Sequence, residues 1–148
     1  MIKIAHRGNY KGRDALRENL PDYIEEAIAA GFDVEVDVWL IDGKWMLGHD
    51  FPEHEVPLSF FERPQIWTHA KNLVGYVSLY NRKEVHTFWH DKDDFVYTSK
   101  GIKWANVGIL TYDGVMVMPE RSPAMTEMLK NGHEPLGVCS DDFRKFIL

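Results

Sequence analysis

The chain has 148 residues, enough for one domain, with 17 Lys and Arg against 23 Asp and Glu and a formal net charge of −6. Hydrophobic residues make up 45% and charged residues 27%, which excludes a disordered chain, and the acidic balance argues against a general nucleic-acid binder. The single cysteine, Cys139, excludes an internal disulfide framework and a cysteine-based zinc cluster. No window approaches the ~18–20 apolar residues of a membrane span, and the first residues lack the apolar core of a signal peptide. The expectation is a single domain over residues 1–148, soluble, cytoplasmic and without a membrane anchor.

Residues 2–6 read as a strand ended by Gly8, and residues 9–20 as a polar loop. Pro21 suits a helix start, Tyr23, Ile24, Ala27 and Ile28 follow at helical spacing, and Gly31 is a stop. Residues 33–40 alternate strictly, the period of a strand. Asp42-Gly43 marks a hairpin, with residues 44–48 as the return strand delivering His49-Asp50. Residues 51–64 hold three prolines and no period, so they read as loop or short helix. Residues 65–71 predict a strand, followed by a weak helix to about residue 82. Residues 85–89 predict another strand, and residues 95–98 and 102–106 a hairpin around Ser99-Lys100-Gly101. A short buried strand over 115–118, a helix over 122–131 capped by Ser122, a last strand over 135–139 and a helical tail over 141–148 complete the reading. Strands alternating with helices favour parallel pairing with right-handed crossovers.

Chemistry concentrates in three places: His6-Arg7-Gly8 after the first strand, Glu35 and Asp37 on the second, and His49-Asp50 after the hairpin. Parallel α/β folds bring strand ends to one face. Asp33, Glu35 and Asp37 share one side of their strand, with neighbouring carboxylates roughly 6.5–7 Å apart. Buried, they need compensation, and a divalent cation between Glu35 and Asp37 supplies it. Solvated at a sheet edge, they need none. An unperturbed histidine titrates near neutrality, so the pair His6 and His49 suits general acid–base work. Arg7 offers a fork for phosphate oxygens, and Gly8 a close backbone approach to an anion.

Together His6, Arg7, Gly8, Glu18, Asn19, Glu35, Asp37, Asp42, Gly43, His49 and Asp50 resemble, in order and spacing, the glycerophosphodiester phosphodiesterases, members of the phospholipase-C-like phosphodiesterase superfamily. The resemblance covers residues 2–50 and weakens beyond residue 71. It implies a TIM-type barrel and metal-dependent cleavage of a small phosphodiester substrate. His6 and His49 would be the acid–base pair, Glu35 and Asp37 the metal ligands, and Arg7 a phosphate ligand. It also implies attack by a neighbouring substrate hydroxyl, through a cyclic phosphate that water opens.

Two departures stand out. Where the family's third strand ends in Glu-x-Lys, this chain has His69-Ala70-Lys71. Lys71 fits the pattern and could contact phosphate, while His69 replaces a carboxylate ligand. Mg²⁺ or Ca²⁺ suits the two acids, and Mn²⁺ or Zn²⁺ becomes the better match if His69 ligates. The chain is also short for a complete barrel of about 200–250 residues. The fold expected is therefore a contracted or incomplete TIM-type (β/α) barrel with mostly parallel strands, and uncovered strand faces leave room for a homo-oligomer.

In the second half, His86 and His90 fall on one side of a strand about 13 Å apart, too far to share one ion. Segments around residues 97–101, 104–106 and 117–120 are loosely similar to small phosphodiesterase-like proteins of bacterial surface-polysaccharide clusters, which implies a sugar-phosphate or glycerol-phosphate diester. Trp89 and Trp104 are candidates for a sugar platform or for the core, and Cys139 reads as an inert thiol. A non-catalytic binding module and a lyase that stops at the cyclic phosphate are the competing readings.

Overall fold

The computed structural model describes residues 1–146. Ten strands form one sheet. Strand β1 (Ile2–His6) leads through the loop and helix α1 (Pro21–Ala29) to β2 (Asp33–Ile41). Strands β3 (Lys44–Leu47) and β4 (His54–Val56) form an antiparallel extension on the C-terminal half of β2. A 3₁₀ turn (Leu58–Glu62) leads to β5 (Ile66–Ala70), helix α2 (Leu73–Tyr80) and β6 (His86–Phe88). The hairpin β7 (Phe95–Tyr97) and β8 (Lys103–Ala105), then β9 (Val115–Val117), helix α3 (Pro123–Lys130) and β10 (Gly137–Ser140) complete it.

Strands run parallel in the order β8-β9-β10-β1-β2-β5-β6, so the expectation of a mostly parallel α/β sheet holds. The sheet is curled: Trp104 on β8 stacks on Phe88 of β6, ring centroids 4.4 Å apart, although these strands lie at opposite ends of the order. Residue 99 spans the remaining gap. Its N–H donates to Thr87 O, and its hydroxyl accepts from the Thr87 N–H. Among the described residues, no helix follows β6 or β8.

Each face of the sheet has its own packing. Val34, Val36 and Val38 of β2 point outward under α1 and α2, joined by Ile24, Phe61 and Leu79, and burial of each such side chain contributes roughly 1.5–3 kcal/mol. Met116 and Val138 pack under α3 with Met125 and Leu129. Inside the curl lie Ile4, Trp67, Phe88, Trp104, Val115, Val117 and Cys139.

Two expectations are corrected. The segment 51–64 contains a strand, β4, because His54–Val56 finds a ready antiparallel edge on β3 that no local period announces. The tail expected over 141–148 is a short 3₁₀ turn, Phe143–Lys145, capped by the Asp142 side chain, and residues 147 and 148 lie outside the described residues. No helix is long and apolar enough to cross a membrane among the described residues.

Candidate functional site

The alternation of β2 decides the site. β1 and β5 flank this strand on its two edges, so its acidic side cannot be a solvated edge. Glu35 is 2% exposed and Asp37 is fully buried. Register brings His6 opposite Glu35 and His69 opposite Asp37. Asp33, one step earlier, accepts from Trp67 Nε1 at 2.9 Å.

Such burial demands positive charge, and three side chains provide it. Arg7 Nε lies 3.0 Å from Asp37 Oδ2, His69 Nδ1 lies 3.4 Å from Asp37 Oδ1 and 3.6 Å from Glu35 Oε1, and Lys71 Nζ lies 3.7 Å from Asp37 Oδ1. Asn19 clasps the same carboxylate, donating to Oδ2 at 2.9 Å and accepting from the Asp37 N–H at 3.0 Å. Burial alone raises the Asp37 carboxyl, but His69, Arg7 and Lys71 overcome it and hold it well below the usual range. Burial pulls the His69 imidazolium down, and its close approach to the Asp37 and Glu35 carboxylates more than reverses this, pushing it up to about 9. Asp37 Oδ1 is nonetheless buried without a hydrogen bond of ordinary geometry. Ligand atoms of Glu35, Asp37 and His69 lie within 4.8 Å of one another. Once His69 gives up its proton, this set of two carboxylates and an imidazole, with one orphaned oxygen, fits a divalent cation.

His6 is held from the other side. Its Nδ1 lies 2.7 Å from Asp141 Oδ1, and its Nε2 lies 3.9 Å from Glu35 Oε2. Asn9 donates to the same Asp141 oxygen at 2.8 Å. Burial raises the Asp141 carboxyl, but the hydrogen bond and charge of His6 outweigh it and leave it low. Glu18, matched in the sequence as part of Glu18-Asn19, gathers Arg7, Asn9 and Arg13 and is likewise held low against its burial.

These groups border a cavity of about 230 Å³, which His6, Arg7, Glu35, His49 and His69 all reach. Asp37 and Lys71 do not line it: Asp37 is fully buried, and Lys71 Nζ lies 3.7 Å from its Oδ1. His49 stands at the mouth, 41% exposed, its Nδ1 2.8 Å from Asp50, with no hydrogen bond to the other site residues. Gly48 makes its position attainable: at φ +149°, an added Cβ would lie 2.1 Å from Phe51 O, while the Gly48 N–H donates to Asp37 O. Gly8 is required for a different reason than an anion. Its φ is +90°, and a Cβ there would lie 2.9 Å from the Tyr23 ring.

The structure adds residues that sequence reasoning missed. Asp141 follows the last strand, and its relevance depends on β10 pairing with β1, which no local pattern reveals. His90 stacks on His69 at 5.2 Å, where burial and then the His69 charge lower its pKa. Arg13 lines the cavity from the loop after β1, and Arg121 from the 3₁₀ turn Pro119–Arg121 after β9. His86 is buried away from this group, 2.7 Å from Thr98 Oγ1, and burial lowers its pKa to about 4. Trp104 belongs to the core and also lines the cavity wall, Trp89 is partly exposed against Tyr76, and Cys139 is fully buried with its thiol pushed up by burial. No family model, curated protein or solved structure matches the chain.

Proposed function

We propose that the chain is a metal-dependent phosphodiesterase acting on a small glycerophosphodiester or sugar-phosphate diester, a short relative of the glycerophosphodiester phosphodiesterases on a contracted barrel. The observation that carries this reading is the juxtaposition of the Glu35, Asp37 and His69 ligand atoms with His6 at one cavity. The reading includes a cytoplasmic location.

Glu35, Asp37 and His69 would hold the ion, Mg²⁺ or Ca²⁺ by the carboxylates, Mn²⁺ or Zn²⁺ if the imidazole dominates. Bound there, it supplies Lewis-acid neutralisation of the phosphate oxygens. The protein's own groups do the rest. Asp141 fixes the His6 tautomer by accepting from Nδ1, which leaves Nε2 to take a proton from the attacking hydroxyl. As that oxygen bonds to phosphorus, the bond to the leaving oxygen breaks, and His49 gives that oxygen its proton. Arg7 and Lys71 keep the surroundings positive as charge moves onto the phosphate. Water then opens the cyclic phosphate with the two histidines in exchanged roles.

A second reading has its own observation. Arg7, Lys71 and protonated His69 already neutralise Glu35 and Asp37, as a purely structural ion network in a binding module would. The deciding experiment is hydrolysis of bis(p-nitrophenyl) phosphate and of glycerophosphodiesters with Mg²⁺, Ca²⁺, Mn²⁺, Zn²⁺ or a chelator. Metal-dependent turnover is expected, falling about 10²–10⁴-fold in His6→Ala. Absence of turnover with every metal in folded protein selects the binding module, and a cyclic phosphate as sole product selects the lyase.

A further inference from the structure

Three of the seven arginines, Arg7, Arg13 and Arg121, line the site cavity of a protein whose net charge is −6. Arg7 is engaged, through Nε with Asp37 and through Nη1 with Glu18. The other two keep most of their donors. Among the described residues, Arg13 bonds only through Nε, to Glu18 Oε1 at 3.0 Å, and the nearest carboxylate oxygen to Arg121 is Asp141 Oδ2 at 3.7 Å, beyond hydrogen-bond length. Their side chains are 60% and 55% exposed.

Both are positioned by the peptide groups of one residue, Asp141. The Gly12 N–H donates to Asp141 O at 3.0 Å and fixes the loop immediately before Arg13. The Asp141 N–H donates to Glu120 Oε1 at 2.8 Å and fixes the turn immediately before Arg121. That turn starts from Met118 at φ +51°, a left-handed conformation that is costly for a side-chain-bearing residue, and Thr126 Oγ1 secures it on Pro119 O at 2.9 Å. Both guanidinium forks therefore border the cavity that His6 and Asp141 line. They also border an adjoining cavity of about 230 Å³, together with Lys145. Of the acids around that cavity, Asp141 bonds His6 and Asn9 and Asp142 bonds Arg144, while Glu120 accepts from the Asp141 N–H through Oε1 and its Oε2 is buried without a partner among the described residues.

We propose that Arg13 and Arg121 form a second anion site, and that the preferred diester carries a terminal phosphate seated there. One fork satisfies a carboxylate, whereas two forks and a lysine match the three oxygens and double charge of a phosphomonoester. The substrate preference rests on the phosphodiesterase reading, and the anion site does not.

The test separates the two. Calorimetry in excess chelator measures binding of inorganic pyrophosphate to wild type, Arg13→Gln, Arg121→Gln and the double variant. Each single change is expected to weaken binding about tenfold, and the double change to abolish it. Lys83→Gln, at the opposite end of β6, is expected to leave binding within about twofold of wild type, since screened distant charges contribute little. Wild type that does not bind millimolar pyrophosphate, a double variant that binds as well as wild type, or an equal loss in Lys83→Gln overturns the site. Turnover then compares one glycerophosphodiester with and without a terminal phosphate. The expected preference is at least about tenfold, falling to near unity in the double variant, and a wild-type ratio near unity overturns the preference. Arginine-dependent pyrophosphate binding without turnover of any diester sustains the anion site while the phosphodiesterase reading fails.

Discussion

His69 and His86 sit on neighbouring strands inside the same curl, and their surroundings drive them to opposite charge states. His69 faces Asp37 and Glu35, and the carboxylates hold its proton to about pH 9. His86 lies against Trp67, ring centroids 3.9 Å apart, and burial there keeps it neutral down to about pH 4. The difference divides the interior into a charged end, over the C-terminal ends of β1, β2 and β5, and an aromatic plug of Trp67, Phe88 and Trp104. The plug excludes water beneath the acids, and that exclusion is what makes their compensation obligatory.

The largest expected effect breaks the plug. Trp104 stacks on Phe88 and lies 5.8 Å from Trp67 across the ends of the sheet. Trp104→Ala leaves a void that short, hydrogen-bonded strand ends cannot collapse to fill, and urea denaturation should register a loss of about 3–5 kcal/mol. A loss below about 1 kcal/mol would mean that the aromatic contacts do not hold the curl together.

The two histidines give a smaller effect with opposite signs. The folded pKa of His86 is depressed, so the unfolded chain binds the extra proton, and stability is lost as pH falls from about 6.5 toward about 4. The folded pKa of His69 is raised, so its contribution is full below about 6.5 and is lost as pH rises toward about 9. Each arm amounts to on the order of 3 kcal/mol. Denaturation across this range in excess chelator should give a maximum near pH 6.5, with the alkaline arm missing in His69→Gln and the acid arm missing in His86→Gln. Arms that do not respond to their own variant would reassign the titrating groups.

Much of the charged end was legible because strict alternation over residues 33–40 puts three acids on one side of a strand whatever its neighbours are. What alternation leaves open is whether that side faces water. Here β1 and β5 decide it by flanking β2, and such pairings span many residues of sequence. The placement of His49 followed from the Asp42-Gly43 hairpin, which is short-range chemistry. Asp141, His90, Arg13 and Arg121 were not legible for the complementary reason: each acquires its role from a neighbour on a distant strand or loop. The strand β4 escaped because its three residues have no period of their own and take their conformation from the edge of β3.

The two helix caps carry the smallest effect and sharpen the same contrast between local and long-range design. Ser122 accepts from the Met125 N–H at 3.4 Å and serves α3 alone, so Ser122→Ala should cost about 1 kcal/mol. Asn72 caps α2 through the Gly75 N–H at 3.2 Å, and the same side chain binds both the N–H and the carbonyl of Leu40 on β2. Asn72→Ala therefore removes a cap and leaves two backbone groups of the strand that carries Glu35 and Asp37 without their partner, a loss of about 2–3 kcal/mol. Equal losses in the two variants would mean that water replaces Asn72 at Leu40. A larger loss in Asn72→Ala would show that β2 depends on the helix beside it as well as on its neighbouring strands.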